Sequence, residues 1–523
     1  MPNDAVEPCA FAPDATGLRR FVPPFVLALI MLAALGVRLY RIGQESAWFD
    51  EVASLQHLGA PDLLTFLRLE RSSDPPMAPV YFTIEYLWSR LTDGSAFSMR
   101  VLSIIFGCLG IALIARWAWE YGGPWAGLVS ASVCGLSVPH VYYSQEIRPY
   151  ALVMLLATGS SYAFLRALRT SERRWWAVNV SANILLMWTH LFASFLLLAE
   201  GLFFAAYALW RGRLRSFLVW AIVHVPSFLL WGLWFLTIDY HALDDASAWK
   251  SDLVHGPRML VEDFTTFAGG RFFWLREAPL IPGIPTGALF ALLFLAALIG
   301  LGWKIIRGSK RPRNGDSSAS QNGAALTYAF WLTWLVVPPV ALVLFSSLLY
   351  PSHLSRYVIY SMAPLHLLAG GFVASLRRSS AKVAFTAALV ALYATNMAMV
   401  PQPWRLDWNA AASHIKSQMK PADALLVMGD THRLSLAYAM QLGPEQIQAG
   451  RSAKEVVEKA GQSIAAGHTA WVTGRVDVFS MPGSENLESA LAAGGLACRK
   501  AEFGNAQPAL VVYRVQTGPT SGP

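Results

Sequence analysis

Charge is what this 523-residue chain has least of: only 14% of its residues are Asp, Glu, Lys or Arg. Soluble domains carry about 25% charged and about 45–50% apolar residues. Here the hydrophobic share is 55% and mean hydropathy is +0.41. So little charge excludes an ordinary soluble enzyme, a disordered chain and a coiled coil, and leaves a polytopic membrane protein. Acid is scarcer than base, 33 residues against 41. The tail from Pro401 holds 11 basic and 10 acidic residues, so all but one of the net +8 comes from the apolar part. There it marks cytoplasmic loops, not a nucleic-acid footprint. Cysteine is also sparse: Cys9, Cys108, Cys134 and Cys498 are too few for a disulfide framework and read as unpaired thiols. No phosphate-loop glycine pattern and no solenoid repeat occur. The first apolar stretch follows Arg19 and Arg20, and no small-residue cleavage site follows it, so it reads as a signal anchor.

What is abundant is long apolar runs. A spanning helix needs about 20 such residues. Candidates lie at 22–40, 98–118, 124–141, 149–168, 174–190, 191–210, 216–238, 286–306, 326–349, 356–376 and 383–400, about eleven in all. A shorter stretch, 78–92, contains Glu85 and Arg90 and reads as lying in or dipping into the interface. Four basic clusters (Arg166 to Arg174, Arg211 to Arg215, Lys304 to Arg313, Arg377 to Lys382) are separated by even numbers of spans. They therefore share one side, the cytoplasmic one, together with the N-terminus. The other side receives loops 41–97 and 239–285, the segment 142–149, His190, the link 350–356 and the tail. Arg38 and Arg41 sit awkwardly at the outer end of the first span. Asn314–Gly323 reads as a flexible linker. The domain boundary falls at 403/404. Beyond it, Ala424–Met428, Ala470–Thr473 and Ala509–Val515 read as strands. Segments 408–419, 432–442, 452–466 and 485–494 read as helices, which makes a small α/β domain.

The few charges that stand apart from the basic clusters form recognisable groups. Asp50 and Glu51 follow Trp48-Phe49 just past the first span. They suit a solvated pair before a helix, or a pair in which one carboxylate reaches a reacting centre while the other caps, pairs or binds a cation. Tyr142-Tyr143-Ser144-Gln145-Glu146-Ile147-Arg148-Pro149-Tyr150 is a dense polar loop between two spans, with Pro149 placed for a first helical turn. Its Glu and Arg either tidy the loop or face a ligand. Asp74 precedes two prolines and fits a turn as well as a site. His190 lies between two spans, and Arg356-Tyr357 opens another. Asp244/Asp245 and Glu262/Asp263 read as solvated or capping. The carboxylates suit a general base or a metal, and the arginines suit a phosphate. One interfacial site offering both fits a lipid-phosphate substrate.

The order of these pieces, from Trp48-Phe49-Asp50-Glu51-Val52-Ala53-Ser54 through Asp74-Pro75-Pro76 with Tyr81, Arg100-Val101-Leu102-Ser103, Tyr142 to Tyr150, Thr189-His190 and Arg356-Tyr357 to Asp407-Trp408-Asn409 with Ala411, resembles the GT-C membrane glycosyltransferases. The likeness is to the protein mannosyltransferase-like family 39 and to its bacterial relatives that modify lipid A and lipopolysaccharide. It implies a mainly α, GT-C type bundle of about eleven transmembrane helices with a small periplasmic α/β domain at 404–523. It implies an inverting transfer from a polyprenyl-phosphate sugar to a hydroxyl of a periplasmic glycan, lipid or protein, in the bacterial inner membrane. Asp50 would be the base, with Glu51 and Glu146 beside it in the catalytic set. Arg148, Arg356 and Tyr357 would hold the donor phosphate. Asp74, Tyr143, Gln145 and His190 would bind substrate. Family members often carry His or Lys before the double proline, where this chain has Asp74. Either Arg71 supplies that charge or Asp74 joins a metal site with Asp50 and Glu146. No cofactor is certain, and a divalent cation stays open. Two other classes remain: a transporter or flippase of a lipid-linked substrate, and a ligase that uses a pyrophosphate-linked oligosaccharide.

Overall fold

The computed structural model describes residues 22–72, 77–236, 256, 258–268, 295, 299–300, 302, 317–349, 352–399, 405–450, 452–475, 487–503 and 510–517. Cys9, Arg19, Arg20, Asp74, Asp244, Asp245, most of loop 239–285 and most of the expected span 286–306 lie outside them. The helices run in chain order as α1 (Val22–Leu39), α2 (Phe49–Leu55), α3 (Leu63–Arg71), α4 (Pro79–Leu91), α5 (Ala96–Leu136), α6 (Val138–Ser144), α7 (Tyr150–Thr170), α8 (Arg173–Met187), α9 (Ser194–Arg211) and α10 (Leu214–Leu236). They continue as α11 (Arg258–Phe267), α12 (Ser317–Leu348), α13 (Ala363–Ala374), α14 (Ser379–Met399), α15 (Trp408–Gln418), α16 (Asp430–Met440), α17 (Ala453–Ala465) and α18 (Leu487–Ala493). The strands are β1 (Ala424–Met428), β2 (Gln448–Gly450), β3 (Ala470–Arg475), β4 (Leu496–Phe503) and β5 (Leu510–Thr517).

Contacts divide the chain into two compact units. The first contains the long helices. Among the described residues, eight helical segments are long and apolar enough to cross a membrane, so this is a multi-pass membrane protein. The count reconciles with the expected eleven. The 41-residue α5 covers two expected spans, because Gly123, at φ 74°, and Pro124 kink it in the middle. The stretch 174–190 becomes the 15-residue α8, too short to cross by length. The eleventh, 286–306, is mostly undescribed. Helix α4 has 13 residues, about 20 Å at 1.5 Å per residue, against an apolar core of about 30 Å. It does not span, as its two charges suggested. The expected linker at Asn314–Gly323 is helical from Ser317, where α12 begins.

Close packing in this unit rests on small residues. Helices α5 and α13 approach at Gly370, where any side chain would run into Ser130 and the Ala126 carbonyl. Ser130 Oγ donates to the His366 carbonyl at 2.9 Å, a polar bond between apolar helices. Arg38, the misfit of the topology, is fully buried. Its guanidinium donates to the Ala34 and Gly135 carbonyls at 2.9 and 3.0 Å and meets His140 Nδ1 at 2.8 Å. It is thus a structural clasp between α1 and the α5–α6 corner, not a loop charge. Asp263 is another correction. It is buried and bonded to His353 at 3.1 Å, not solvated.

The second unit comprises the C-terminal region together with Arg41–Gly59. Its sheet has the order β2-β1-β3-β5-β4, with β2, β1 and β3 parallel and β5 and β4 antiparallel. The apolar faces of β1, β3 and β5 pack Trp471, Leu425 and Val512 against Trp408, Ile415 and Leu436 from α15 and α16. The three expected strands and four expected helices are all there, with ends moved by a few residues. Strands β2 and β4 were not read. Three residues make no period, and β4 is an exposed edge whose Arg499, Lys500 and Glu502 conceal the pattern.

The loop 41–59 joins this unit through buried polar bonds. Arg405 Nε lies 3.5 Å from Glu51, and the Arg405 backbone N–H donates to Glu45 at 3.2 Å. Asp407 caps α15 by accepting from Ala410 N–H at 3.0 Å, and Ser46 Oγ accepts from Asn409 N–H at 3.0 Å. Replacing Arg405 by Ala leaves buried carboxylates short of a counter-charge. It should cost about 3–5 kcal/mol, read as a lower denaturation midpoint in detergent.

Candidate active site

The site is built where three junctions of the first unit meet. The first is the turn between α6 and α7. Pro149 sits before α7 in helical conformation, and its carbonyl accepts from Val153 N–H at 2.9 Å, so the helix starts abruptly and the residues before it stay at its mouth. The second is the junction of α8 and α9, where Thr189–Ala193 turn the chain. The third is the short 3-10 segment Ser355–Met362 that leads into α13.

These junctions bring five of the expected residues, Tyr143, Arg148, His190, Arg356 and Tyr357, into one aromatic and cationic cluster. The Arg356 guanidinium lies 5.8 Å from the ring centres of both Tyr150 and Tyr357. The His190 ring is 5.7 Å from Tyr150 and 5.4 Å from Tyr357. Tyr143 packs on Tyr150 at 4.9 Å. Phe192 stacks on Tyr357 at 4.9 Å, and its carbonyl is held by Tyr360 Oη at 2.9 Å. Arg148 is buried, 3.8 Å from Met77 Sδ. Burial, then Arg148 and Arg356, push His190 down to about 3. Both guanidiniums therefore act on the same imidazole, which stays neutral. Burial raises the Tyr143 hydroxyl well above its ordinary value, with Arg356 opposing.

The low His190 value has a stability consequence. The unfolded chain takes up a proton near 6.5 that the folded chain refuses until about 3. The stability is therefore present above 6.5 and is lost as pH falls through that window. A His190→Gln variant should show a shallower loss of melting temperature on acidification. An acid limb identical to that of the parent would contradict the assignment.

Two expected residues turn out otherwise engaged. Gln145 donates its amide to the Arg38 carbonyl at 2.9 Å, satisfying the last turn of α1. Glu51 is fully buried against Arg405 in the second unit. Asp50, in the first turn of α2, is 8% exposed. Glu146 is fully buried, and its carbonyl accepts from Ser103 Oγ at 2.6 Å. Of the proposed metal candidates, Asp74 lies outside the described residues. Among the described residues no three His, Cys, Asp or Glu side chains are grouped to hold a metal.

One residue was missed. Glu85 on α4 is fully buried, one turn beyond Tyr81, and neither of its oxygens has a hydrogen-bond partner among the described residues. Burial, then the nearby Glu70, push its carboxyl well above the usual range, while Arg148 pulls the other way. The signal was in the sequence, as a lone acid in an apolar stretch, but it was read only as evidence against spanning.

Comparison with known proteins fits this arrangement. Residues 73–234 match the family model of the dolichyl-phosphate-mannose-protein mannosyltransferases. That stretch runs from just before α4 to the end of α10 and includes Arg148 and His190. Among solved structures, ArnT from Cupriavidus metallidurans bound to undecaprenyl phosphate matches with TM-score 0.51 and 14% identity over 97% of this chain and 100% of that one. The oligosaccharyltransferase AglB from Archaeoglobus fulgidus, in complex with an inhibitory peptide and a dolichol-phosphate, matches with TM-score 0.51 and 9% identity, over 97% of this chain and 75% of that one. The same archaeon's oligosaccharyltransferase tethered with an acceptor peptide matches with TM-score 0.50 and 11% identity, over 93% and 73%. No curated protein sequence matches the chain. The chain thus has the fold of the GT-C membrane glycosyltransferases. Its 73–234 segment resembles the mannosyltransferase family.

Proposed function

We propose that the chain moves a sugar from a polyprenyl-phosphate donor to a hydroxyl of a periplasmic glycan, lipid or protein acceptor, with inversion, in the bacterial inner membrane. The observation that carries this reading is the Arg356 guanidinium, 5.8 Å from the ring centres of Tyr150 and Tyr357 that also wall His190, with the buried Arg148 acting on the same imidazole. Two guanidiniums offer forked donors to a phosphate, and aromatic rings stack on a sugar face. The leaving group is a lipid phosphate. It departs without a general acid if its developing charge is held, which is the task of Arg148 and Arg356, with Tyr357 beside them. Asp50 takes the acceptor proton in this reading, on the strength of its motif. The acceptor oxygen then attacks the anomeric carbon, and the bond to the phosphate oxygen breaks.

Glu85 and Tyr143 add neutral hydrogen-bonding groups to the same region, suited to sugar hydroxyls. That Archaeoglobus AglB binds dolichol-phosphate and Cupriavidus ArnT binds undecaprenyl phosphate supports a lipid-phosphate donor. The test offers radiolabelled polyprenyl-phosphate sugar and polyprenyl-pyrophosphate sugar to the purified chain with envelope extract as acceptor. Product from the first alone supports the proposal. Product from the second alone makes the chain a pyrophosphate-dependent ligase. Movement of either lipid across vesicles without product makes it a flippase.

A further inference from the structure

The transfer chemistry leaves one buried acid unused. Glu200, in the middle of the spanning helix α9, is fully buried, and it is enclosed by side chains from α7, α8 and α10. Ser160 Oγ lies 2.9 Å from Glu200 Oε1 and 2.6 Å from Asn183 Oδ1. Asn179 and Asn183 both donate to Glu200 Oε2, at 2.9 and 2.8 Å. Asn179 also donates to Ser160 Oγ at 2.9 Å. Trp220 Nε1 donates to Asn179 Oδ1 at 2.9 Å, which fixes that amide's orientation. His224 donates from Nδ1 to the Trp220 carbonyl at 2.8 Å, so its Nε2 receives the second Asn183 proton at 3.4 Å.

The protons of this cage can be counted. Ser160 has one hydroxyl proton but faces two oxygens, Asn183 Oδ1, which can never donate, and Glu200 Oε1, which cannot donate while the acid is ionised. If that proton goes to Asn183, at the shorter distance, the contact to Glu200 needs a proton from Glu200 itself. Turning the Asn183 amide over does not help. Its oxygen would then face Glu200 Oε2 at 2.8 Å, two acceptors with nothing between them. In either orientation the count closes only with a proton on the carboxyl. His224 is the titratable neighbour in the cage, and its two bonds need it neutral.

We infer that Glu200 is a neutral carboxylic acid that locks α7, α8, α9 and α10 in register and so positions the residues at their ends. The helices it ties are those that carry the site. Ser160 lies ten residues along α7 from Tyr150, and Glu200 lies ten residues from His190, about 15 Å in each case. A neutral acid satisfies the buried donors without placing a charge in the apolar layer. Glu200 is a positioning residue and touches no substrate.

The purified full chain in detergent tests this, with Glu200→Gln and Glu200→Ala beside the parent. Gln keeps one donor for Ser160 and one acceptor for both asparagines. The infrared difference between the parent and Glu200→Gln at neutral pH should show loss of a protonated carboxylic C=O band. Loss of a carboxylate band instead would overturn the inference. Glu200→Gln should melt near the parent, and Glu200→Ala clearly lower. A Gln variant that melts with the Ala variant, or does not fold, overturns it too. The positioning role alone rests on the proposed reaction and predicts a raised donor KM in Glu200→Ala and a normal one in Glu200→Gln. If the parent transfers no sugar, the proposed reaction fails while the infrared and melting results still decide the state of Glu200.

Discussion

Replacing Asp50 by Asn is expected to lower sugar transfer by about 10²–10⁴-fold, the usual contribution of a positioned proton acceptor, with little change in melting temperature or donor binding. The argument turns on the division of labour within an adjacent pair. Glu51 is fully buried and paired with Arg405 in the second unit. Its removal takes one of the two carboxylates beside the buried Arg405 guanidinium, Glu45 being the other, so Glu51→Gln should lower stability first and activity only as a consequence. Asp50 is buried as well, at 8% exposure, in the first turn of the same seven-residue helix, and Glu51 is the carboxylate of the pair that lies 3.5 Å from Arg405. An Asn there keeps the shape and loses the base. The measurement is initial rate with saturating polyprenyl-phosphate sugar, beside a thermal melt of each variant. Near-normal transfer by Asp50→Asn removes Asp50 as the base. An equal stability loss in both variants would show that the two carboxylates share one structural task.

The same pair shows what a sequence can disclose. The Trp48 to Ser54 motif located two acids of interest, but nothing local distinguishes them. The distinction comes from Arg405, a residue far along the chain, and only the fold brings the two together. Arg38 is a similar case. By count it is a charge on the wrong side of a span, and only its bonds to Gly135 and His140 show a buried clasp. What was legible is what depends on composition and period. Long apolar runs became helices, the short charged stretch 78–92 proved too short to span, and β1 fell on the residues expected. Gln145 and Glu200 were not legible, because whether a polar side chain meets a ligand or satisfies a backbone depends on neighbours from other helices. Gln145 looked like a site residue and caps α1. Glu200 looked like nothing and holds four helices. Strand β4 fails for a different reason: an exposed edge has no buried face to imprint a period on its sequence.

Arginine geometry yields the second large effect. Arg148→Ala and Arg356→Ala should each lower kcat/KM for the lipid donor by about 10²–10³-fold, the scale of losing one preorganised donor to a developing anion. The Lys variants discriminate charge from geometry. Lysine keeps the charge but offers a point donor instead of a planar fork, and it stacks poorly. Arg356 lies over Tyr150 and Tyr357 at 5.8 Å from each ring centre. Arg356→Lys should therefore lose much of what Arg356→Ala loses. Arg148 is buried, and its positive charge acts on His190 and on Glu85 alike. Arg148→Lys should then retain more activity than Arg148→Ala, since charge is what the site asks of that position. Titrating free polyprenyl phosphate as a product inhibitor gives an independent readout: both Ala variants should weaken inhibition in parallel with the donor KM. If inhibition is unchanged while the rate falls, the two arginines act on the acceptor side, and the phosphate must be held by other residues.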